Sequence, residues 1–224
     1  MAKNKPPVPE VDLRARVLAA SVALITEEGL GALSMREVAR RAGVSHQAPY
    51  HHFPDRESIL AAIAGEGFLH LAEALERALG TKAPAGERLR AGGRAYVDFA
   101  RAHPAHFRVM FRPELVDLEA YPEGKAQADR AYQALEQLVA GVVEDGGWPA
   151  AEAQGLVLVA WSFVHGLSSL VLDGPIAKTL ADVELEAAVE RAFEGFRRMV
   201  DGPGPRRGGH LKGPKPRGLS GGRR

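Results

Sequence analysis

The sequence predicts an all-α fold, and three observations support this prediction. Apolar residues recur at helical spacing from about residue 12 to residue 201. No segment shows the alternating pattern of a half-buried strand, and no Asn-Gly or Asp-Gly turn separates two β-branched segments. The three Asp-Gly pairs instead follow helical stretches, where a glycine just past the last turn is typical of a helix end.

Composition narrows the class of protein. The 224 residues are 46% hydrophobic and 25% charged, which is typical of a globular chain with one or two domains. There are no cysteines, so disulfide scaffolds, thiolate metal sites and cysteine nucleophiles are excluded. No apolar run approaches the roughly 18 residues that cross a bilayer, and the N-terminus lacks a secretory signal. We therefore expect a cytoplasmic protein with no membrane contact.

The net charge of +1 conceals an uneven distribution along the chain. Residues 202–224 carry seven basic side chains and no acidic one, residues 1–60 are net +1, and residues 61–201 are net −7. A polyanion is therefore expected to meet the N-terminal segment or the tail rather than the middle of the molecule. The tail is also rich in glycine and proline, a composition that predicts disorder.

The N-terminal part predicts three helices. The first spans residues 11–28. Ser34 then starts a short helix as the first residue of a capping box, and Gly43 ends it because glycine tolerates the left-handed backbone of a sharp turn. Ser45 is expected to cap a second short helix that extends to about residue 52. Two short helices joined by Gly-Val-Ser behind a longer helix have the spacing of a helix-turn-helix motif.

The remaining chain predicts a series of longer helices that are joined by loops. A segment rich in charged residues and proline, residues 112–124, is predicted to be a loop. The predicted helices cover residues 56–79, 86–102, 104–111, 125–144, 149–172 and 183–200.

The second short helix would offer its N-terminal half to the major groove of B-form DNA. Gln47 can bond a base edge through both amide atoms, and Ala48 can contact a thymine methyl group. Ser45, Tyr50 and His51 suit phosphate oxygens. A helix–glycine–helix pattern alone also fits an ordinary bend in a helical bundle.

Residues 33–60 resemble a known DNA-binding domain. The Ala-Gly-Val-Ser turn, the Tyr-x-x-Phe end and the capped helix that follows are similar to the tetracycline-repressor (TetR) family of bacterial regulators. The resemblance covers about residues 12–60 and implies a three-helix domain that acts as a dimer on palindromic operator DNA, usually for repression. It implies operator contacts from Ser34, Ser45, His46, Gln47, Tyr50 and His51, and a phosphate contact from Arg56, where family members commonly have lysine.

A second, looser resemblance lies in the C-terminal half. The segment Trp161-Ser-Phe-Val-His-Gly-Leu-Ser-Ser-Leu looks like the signature of the WHG type of C-terminal domain in the same family. Residues 96–111 are also similar to that type. Pro49, where the family commonly has leucine, is similar to one subgroup.

The second half is predicted to form a homodimer and to bind an unknown small-molecule effector. Pairing two helix-turn-helix domains in a dimer increases the affinity for DNA with two half-sites. The last two predicted helices are apolar on several faces, as a four-helix bundle across a twofold axis requires. An effector would act through the helix 56–79, which is expected to touch both halves. Aromatic and polar side chains that can line its cavity are Phe68, Tyr96, Phe99, His103, Phe107, Met110, Trp161 and His165. Side chains of these types at helical spacing are also ordinary core residues.

The predicted organisation is a flexible arm (1–11), a helix-turn-helix DNA-binding domain (12–55), a helical ligand-binding and dimerisation domain (56–201) and a disordered basic tail (202–224). The predicted function is a sequence-specific, dimeric transcriptional repressor that a small molecule releases from its operator.

Two alternatives remain. One is non-specific nucleic-acid binding through the tail. The other is a helical enzyme that uses His103-x-x-His106 or Ser162 with His165. No cofactor and no metal is expected, because these patterns lack the further ligand and the glycine-rich elbow that such sites need.

Overall fold

The computed structural model of the protein describes residues 10–200, and this part contains helices and no strand. The all-α prediction is confirmed. The basic tail and most of the N-terminal arm lie outside the described residues. The α-helices are α1 (Glu10–Glu28), α2 (Met35–Ala42), α3 (Arg56–Leu79), α4 (Ala85–Ala102), α5 (Pro104–Met110), α6 (Pro122–Asp145), α7 (Ala153–Leu172), α8 (Pro175–Thr179) and α9 (Asp182–Val200).

Proline explains the two largest differences between the predicted and observed helix positions. Helix α6 begins at Pro122, so the predicted loop 112–124 is shorter and contains a 3-10 turn at Leu118–Ala120. Helix α8, which the sequence pattern did not predict, begins at Pro175. Proline fits the first turn of a helix because the amide hydrogen that it lacks would have no partner there.

The second short helix of the helix-turn-helix motif differs from its prediction. It is a 3-10 turn at Ala48–His51, so the prediction of a helix capped by Ser45 is wrong. Pro49 has no amide hydrogen to donate to the Ser45 carbonyl, as an α-helix would require. The Ala48 amide bonds that carbonyl instead, over 3.0 Å.

The capping box predicted at the start of α2 is half formed. The Ser34 hydroxyl accepts a bond from the Glu37 amide over 3.3 Å, as expected for an N-cap. The Glu37 carboxylate does not return to the Ser34 amide, because it is held by the guanidinium of Arg40 on the next turn.

One hydrophobic core joins the two predicted domains. It extends from Val17 and Leu24 of α1, through Ile59 and Ile63 of α3, to Phe193 of α9. Helix α3 contacts α1, α4, α5 and α6, so it touches both halves of the molecule. A change in the position of α3 would therefore alter contacts in both the DNA-binding half and the helical half of the molecule.

Two helices, α3 and α7, are long and apolar enough by length and composition to cross a membrane. The expectation that no segment reaches this limit is therefore wrong. The apolar stretch of α3 is 61% buried, which is typical of a core helix, whereas that of α7 is only 28% buried. Helix α7 thus leaves an apolar face uncovered in the single chain.

Candidate DNA-binding surface and effector cavity

The helix-turn-helix motif presents a continuous polar surface to the outside. Ser45, His46, Gln47, Tyr50 and His51 are exposed. Two residues of the same segment are less exposed: Ala48 is half-buried and Pro49 is buried. The imidazole of His46 lies beside the Tyr50 ring, with 5.9 Å between the ring centroids. The structure therefore leaves these five predicted DNA-contacting side chains exposed along the segment that contains the 3-10 turn, with His46 and Tyr50 side by side.

The turn that carries this surface is fixed by backbone and core contacts. Gly43 has φ of 66°, in the left-handed region, and the Val44 amide bonds the Ala39 carbonyl over 3.0 Å. Arg16 of α1 donates to the Ala42 carbonyl over 2.5 Å. At the other end Phe53 is buried in the core. The exposed turn is therefore held at both ends by buried or partly buried groups.

Arg56, the predicted phosphate contact, has another role in the structure. It is half-buried, and its Nε and Nη2 atoms each donate to a backbone carbonyl over 3.0 Å, those of Leu33 and Leu30 respectively. These bonds hold the first turn of α3 against the segment that precedes α2. Its phosphate contact stays a prediction.

Arg36 is a candidate that sequence reasoning missed. It is exposed on α2, two residues after the exposed Ser34, and it forms no ion pair with the described residues. Arg40 and Arg41 on the same helix are held by carboxylates instead. The signal in the sequence was that Arg36 lacks the acidic neighbour at helical spacing that Arg40 has in Glu37.

The helical half encloses a cavity of about 340 Å³. It lies among α3, α4, α6, α7 and α9, and its walls are mainly aliphatic and aromatic. Three of the eight predicted cavity residues line it: Phe68, Tyr96 and Trp161.

Five predicted cavity residues do not line this cavity, and their part in ligand binding stays a prediction. Phe107 and Met110 of α5 are buried in the core, because α5 packs against α1 and α3. His103 stacks on His70 with 5.0 Å between ring centroids, and Phe99 packs against His103 over 5.3 Å. His165 contacts Tyr96 and Phe111, which both line the cavity. The packing of α5 against α3 decides the positions of Phe107 and Met110, and helical periodicity does not report such packing.

The cavity wall contains one linked group of polar side chains. The Tyr96 hydroxyl lies 3.0 Å from Nδ1 of His165, within hydrogen-bond distance. Burial raises the pKa of Tyr96 well above its usual value, and burial lowers the pKa of His165. Both side chains are therefore uncharged at neutral pH.

Sequence reasoning missed most of the aromatic wall. Phe111 follows α5, Phe163 lies on α7, and Phe193 and Phe196 lie on α9; all four line the cavity. The rings of Phe163 and Phe196 are stacked, 4.4 Å apart. The apolar stripe of α9 was visible in the sequence, but it was assigned to a dimer interface rather than to a cavity.

His103 lies just before α5, and His106 lies within it. Among the residues that the structure describes, no group of three histidine, aspartate or glutamate side chains is arranged to hold a metal ion. His106 lies 3.7 Å from a carboxylate oxygen of Glu66 and within 5.5 Å of the His103 ring, so these imidazoles contact one another and an acid.

Family models match both halves of the chain. Residues 17–63 match the model described as bacterial regulatory proteins of the tetR family, and residues 89–201 match a tetracycline-repressor-like C-terminal domain. The two matches together span more than half of the chain. The chain belongs to the TetR family. This TetR-family protein is therefore a transcriptional regulator with an N-terminal helix-turn-helix domain and a helical C-terminal domain.

Known relatives agree with this assignment. The TetR-family chain is 29% identical over 192 residues to the transcriptional activator FasR of Mycolicibacterium smegmatis, covering 84% of this chain and 85% of FasR. The structure of the TetR-family regulator PfmR from Thermus thermophilus is 24% identical, with a TM-score of 0.64, over 83% of this chain and 96% of PfmR. AibR, solved with isovaleryl coenzyme A and operator DNA, is 21% identical, with a TM-score of 0.64, over 86% and 99%. These two structures share the fold.

Proposed function

We propose that this regulator is a homodimer that binds palindromic operator DNA and releases it when a small molecule occupies the cavity. The observation that carries the proposal is the exposed surface of the helix-turn-helix motif, formed by Ser45, His46, Gln47, Tyr50 and His51. In this arrangement Gln47 and Ala48 read base edges, and Ser34, Tyr50 and His51 contact phosphates. Arg36 supplies a further cation toward the phosphates.

Selection of binding sites from a random duplex pool tests this proposal directly. The selected DNA should contain two inverted half-sites whose centres are separated by about 34 Å or a multiple of it. Gln47→Ala should weaken operator binding and relax the base preference at one position of each half-site, because it removes a bidentate contact worth about 1–3 kcal/mol. Gln133→Ala, which changes an exposed glutamine of α6, is the matched control. A pool without inverted symmetry would contradict the dimeric operator.

The uncovered apolar face of α7 supports the homodimer. Leu158 is 62% exposed, Val159 is 53% exposed and Leu170 is 44% exposed. On α9, Val183 and Met199 are also exposed. Large apolar side chains gathered on adjacent helices mark a protein interface, and a second copy of the same two helices completes a four-helix bundle.

A charge on this face should separate the two copies. We expect Leu158→Glu to give a folded monomer in analytical ultracentrifugation, because the interface would bury an unpaired carboxylate. The operator affinity of this variant should also decrease, because a single helix-turn-helix domain contacts only one half-site. Gln137→Glu adds the same charge on an exposed site of α6 and should leave the dimer intact. A dimeric Leu158→Glu protein would place the interface elsewhere.

The cavity and α3 together support ligand control. Cavity residues lie on α3, and α3 also contacts α1 of the DNA-binding half. An effector that binds more tightly when α3 is in one position changes the distance between the two helix-turn-helix domains of the dimer. It thereby lowers their affinity for the operator. AibR carries a ligand and DNA in one structure, which shows that the fold accepts both.

Several narrower features belong to this proposal. The protein acts in the cytoplasm as a binding protein without a catalytic site, and it represses its target genes. FasR is named an activator, so the direction of control is to be measured with a reporter gene under the selected operator. Reporter expression that falls when the regulator is supplied supports repression, and expression that rises contradicts it.

A further inference from the structure

The charged side chains at the rim of the cavity are paired with one another. Lys125 places its Nζ atom 2.7 Å from both carboxylate oxygens of Asp129. Arg197 lies 2.8 Å from the carboxylate of Glu194, and Arg90 is held by Glu190. Every cation among the described lining residues therefore already has a carboxylate partner.

This pairing disfavours a charged ligand group inside the cavity. An anion that entered would lose its water shell, and the partly exposed cations at the rim are already neutralised by carboxylates. A cation would meet Asp129, which Lys125 already neutralises, and the same argument applies. The interior walls beyond the rim are aliphatic and aromatic, so they favour a hydrocarbon surface.

The deep wall nevertheless contains a group able to form hydrogen bonds. Tyr96 and Trp161 both line the cavity, and the Tyr96 hydroxyl also bonds His165. We assign the Tyr96 hydroxyl as the donor to Nδ1 of His165, which places the His165 proton on Nε2. The Tyr96 oxygen then remains able to accept a hydrogen bond from a ligand.

We propose that the effector is an uncharged, mainly hydrocarbon molecule with one hydroxyl or N–H group, and that this group donates a hydrogen bond to the Tyr96 hydroxyl. The inference rests on the proposed function, in which this cavity holds the effector. It predicts a hydrocarbon ligand with one uncharged polar group, rather than a molecule with an ionised head group.

Three ligands of equal chain length test the charge preference: 1-octanol, octanoate and octylammonium. Trp161 lines the cavity, so its fluorescence reports occupancy; Trp148→Phe removes the only other tryptophan. We expect 1-octanol to bind at least about tenfold more tightly than either ion at pH 7.4, because only the ions bury an unpaired charge. Equal or tighter binding of octanoate or octylammonium would overturn the inference, as would binding of none of the three.

Tyrosine variants test the hydrogen bond. Tyr96→Phe should weaken 1-octanol binding roughly fivefold, the value of one ordinary hydrogen bond. Tyr121→Phe removes a hydroxyl from a half-buried tyrosine that does not line the cavity, and it should leave the affinity unchanged. Unchanged affinity in Tyr96→Phe would overturn the assignment. Operator release is measured separately: if 1-octanol binds as expected but the dimer keeps its operator, the cavity chemistry stands and the effector role fails.

Discussion

Single residues determine how firmly the DNA-binding half is attached to α3, and Arg56 is the clearest case. Its guanidinium bridges the carbonyls of Leu30 and Leu33, which a lysine ammonium cannot do with the same fork geometry. We expect Arg56→Lys to lower the free energy of unfolding by about 1 kcal/mol in urea titrations, because one carbonyl loses its bond. Arg36→Lys, at an exposed position, should have no such effect.

The same variants separate the structural role of Arg56 from the phosphate contact that the family resemblance implies. If Arg56 acted only as a phosphate contact, a positive charge would be sufficient. Arg56→Lys would then keep both the free energy of unfolding and the operator affinity of the natural protein. Arg56→Ala would then reduce the salt slope of DNA binding by about one. That combination of results would contradict the bridging role.

His103 should make stability depend on pH. Burial, and then the neighbouring imidazoles of His106 and His70, lower the pKa of His103 below its usual value. The unfolded chain therefore binds more protons than the folded one as the pH falls through about 6.5, and stability decreases there. We expect the free energy of unfolding to be level above pH 7 and to fall toward pH 5.5.

His103→Gln should make this decline shallower in urea titrations at successive pH values. His46→Gln changes an exposed imidazole on the DNA-binding surface and serves as the control. A pH profile of His103→Gln that is as steep as that of the natural protein would show that other groups cause the decline.

At the scale of helices, the packing of α4 depends on a glycine. An added Cβ on Gly93 would lie 2.7 Å from the Phe193 ring of α9 and 3.2 Å from Val164 of α7. Gly93→Ala should therefore destabilise the protein by about 1–3 kcal/mol, despite the better helix propensity of alanine. Thermal unfolding measures this loss.

A second substitution tests the cause of that loss. Phe193→Leu in the Gly93→Ala background shortens the side chain that the new methyl group meets, and it should recover part of the lost stability. If Gly93→Ala alone is neutral or stabilising, Phe193 moves without cost and the contact does not limit the position of α9.

The helices also show which parts of the structure could be predicted from the sequence. The long helices could be predicted because apolar periodicity, caps and glycine stops are local signals. The exposed position of Gln47 followed from the same local pattern. The 3-10 turn could not be foreseen, because helical periodicity and capping residues do not report the missing amide bond of Pro49 to the Ser45 carbonyl. Of the cavity residues, Tyr96 was identified and Phe193 was not, since helix crossings decide which face lines a cavity.

At the scale of the whole molecule, one hydrophobic core extends from the helix-turn-helix half to the cavity in the helical half. The helices that line the cavity also carry the uncovered apolar face. The aromatic wall of the cavity is built partly from α7 and α9, through Phe163 and Phe193. The same two helices carry the exposed apolar residues Leu158 and Val183. We therefore expect a ligand that pushes on this wall to act on the back of the proposed dimer interface as well as on α3, and both effects to change the distance between the two DNA-binding domains of the dimer.

The charge distribution of the whole chain predicts how binding depends on salt. Residues 202–224 lie outside the described part of the structure and carry seven lysine and arginine side chains, whereas the middle of the chain is net negative. We expect deletion of this tail to weaken binding to operator and random DNA alike, and to reduce the slope of log K against log salt by about 0.9 for each phosphate that the tail neutralises. The preference for the operator should persist, because the helix-turn-helix surface reads the bases. Replacing the seven cations with glutamine at constant length should reproduce the deletion. An unchanged salt slope in both variants would exclude the tail from DNA binding and leave that role to the helix-turn-helix surface alone.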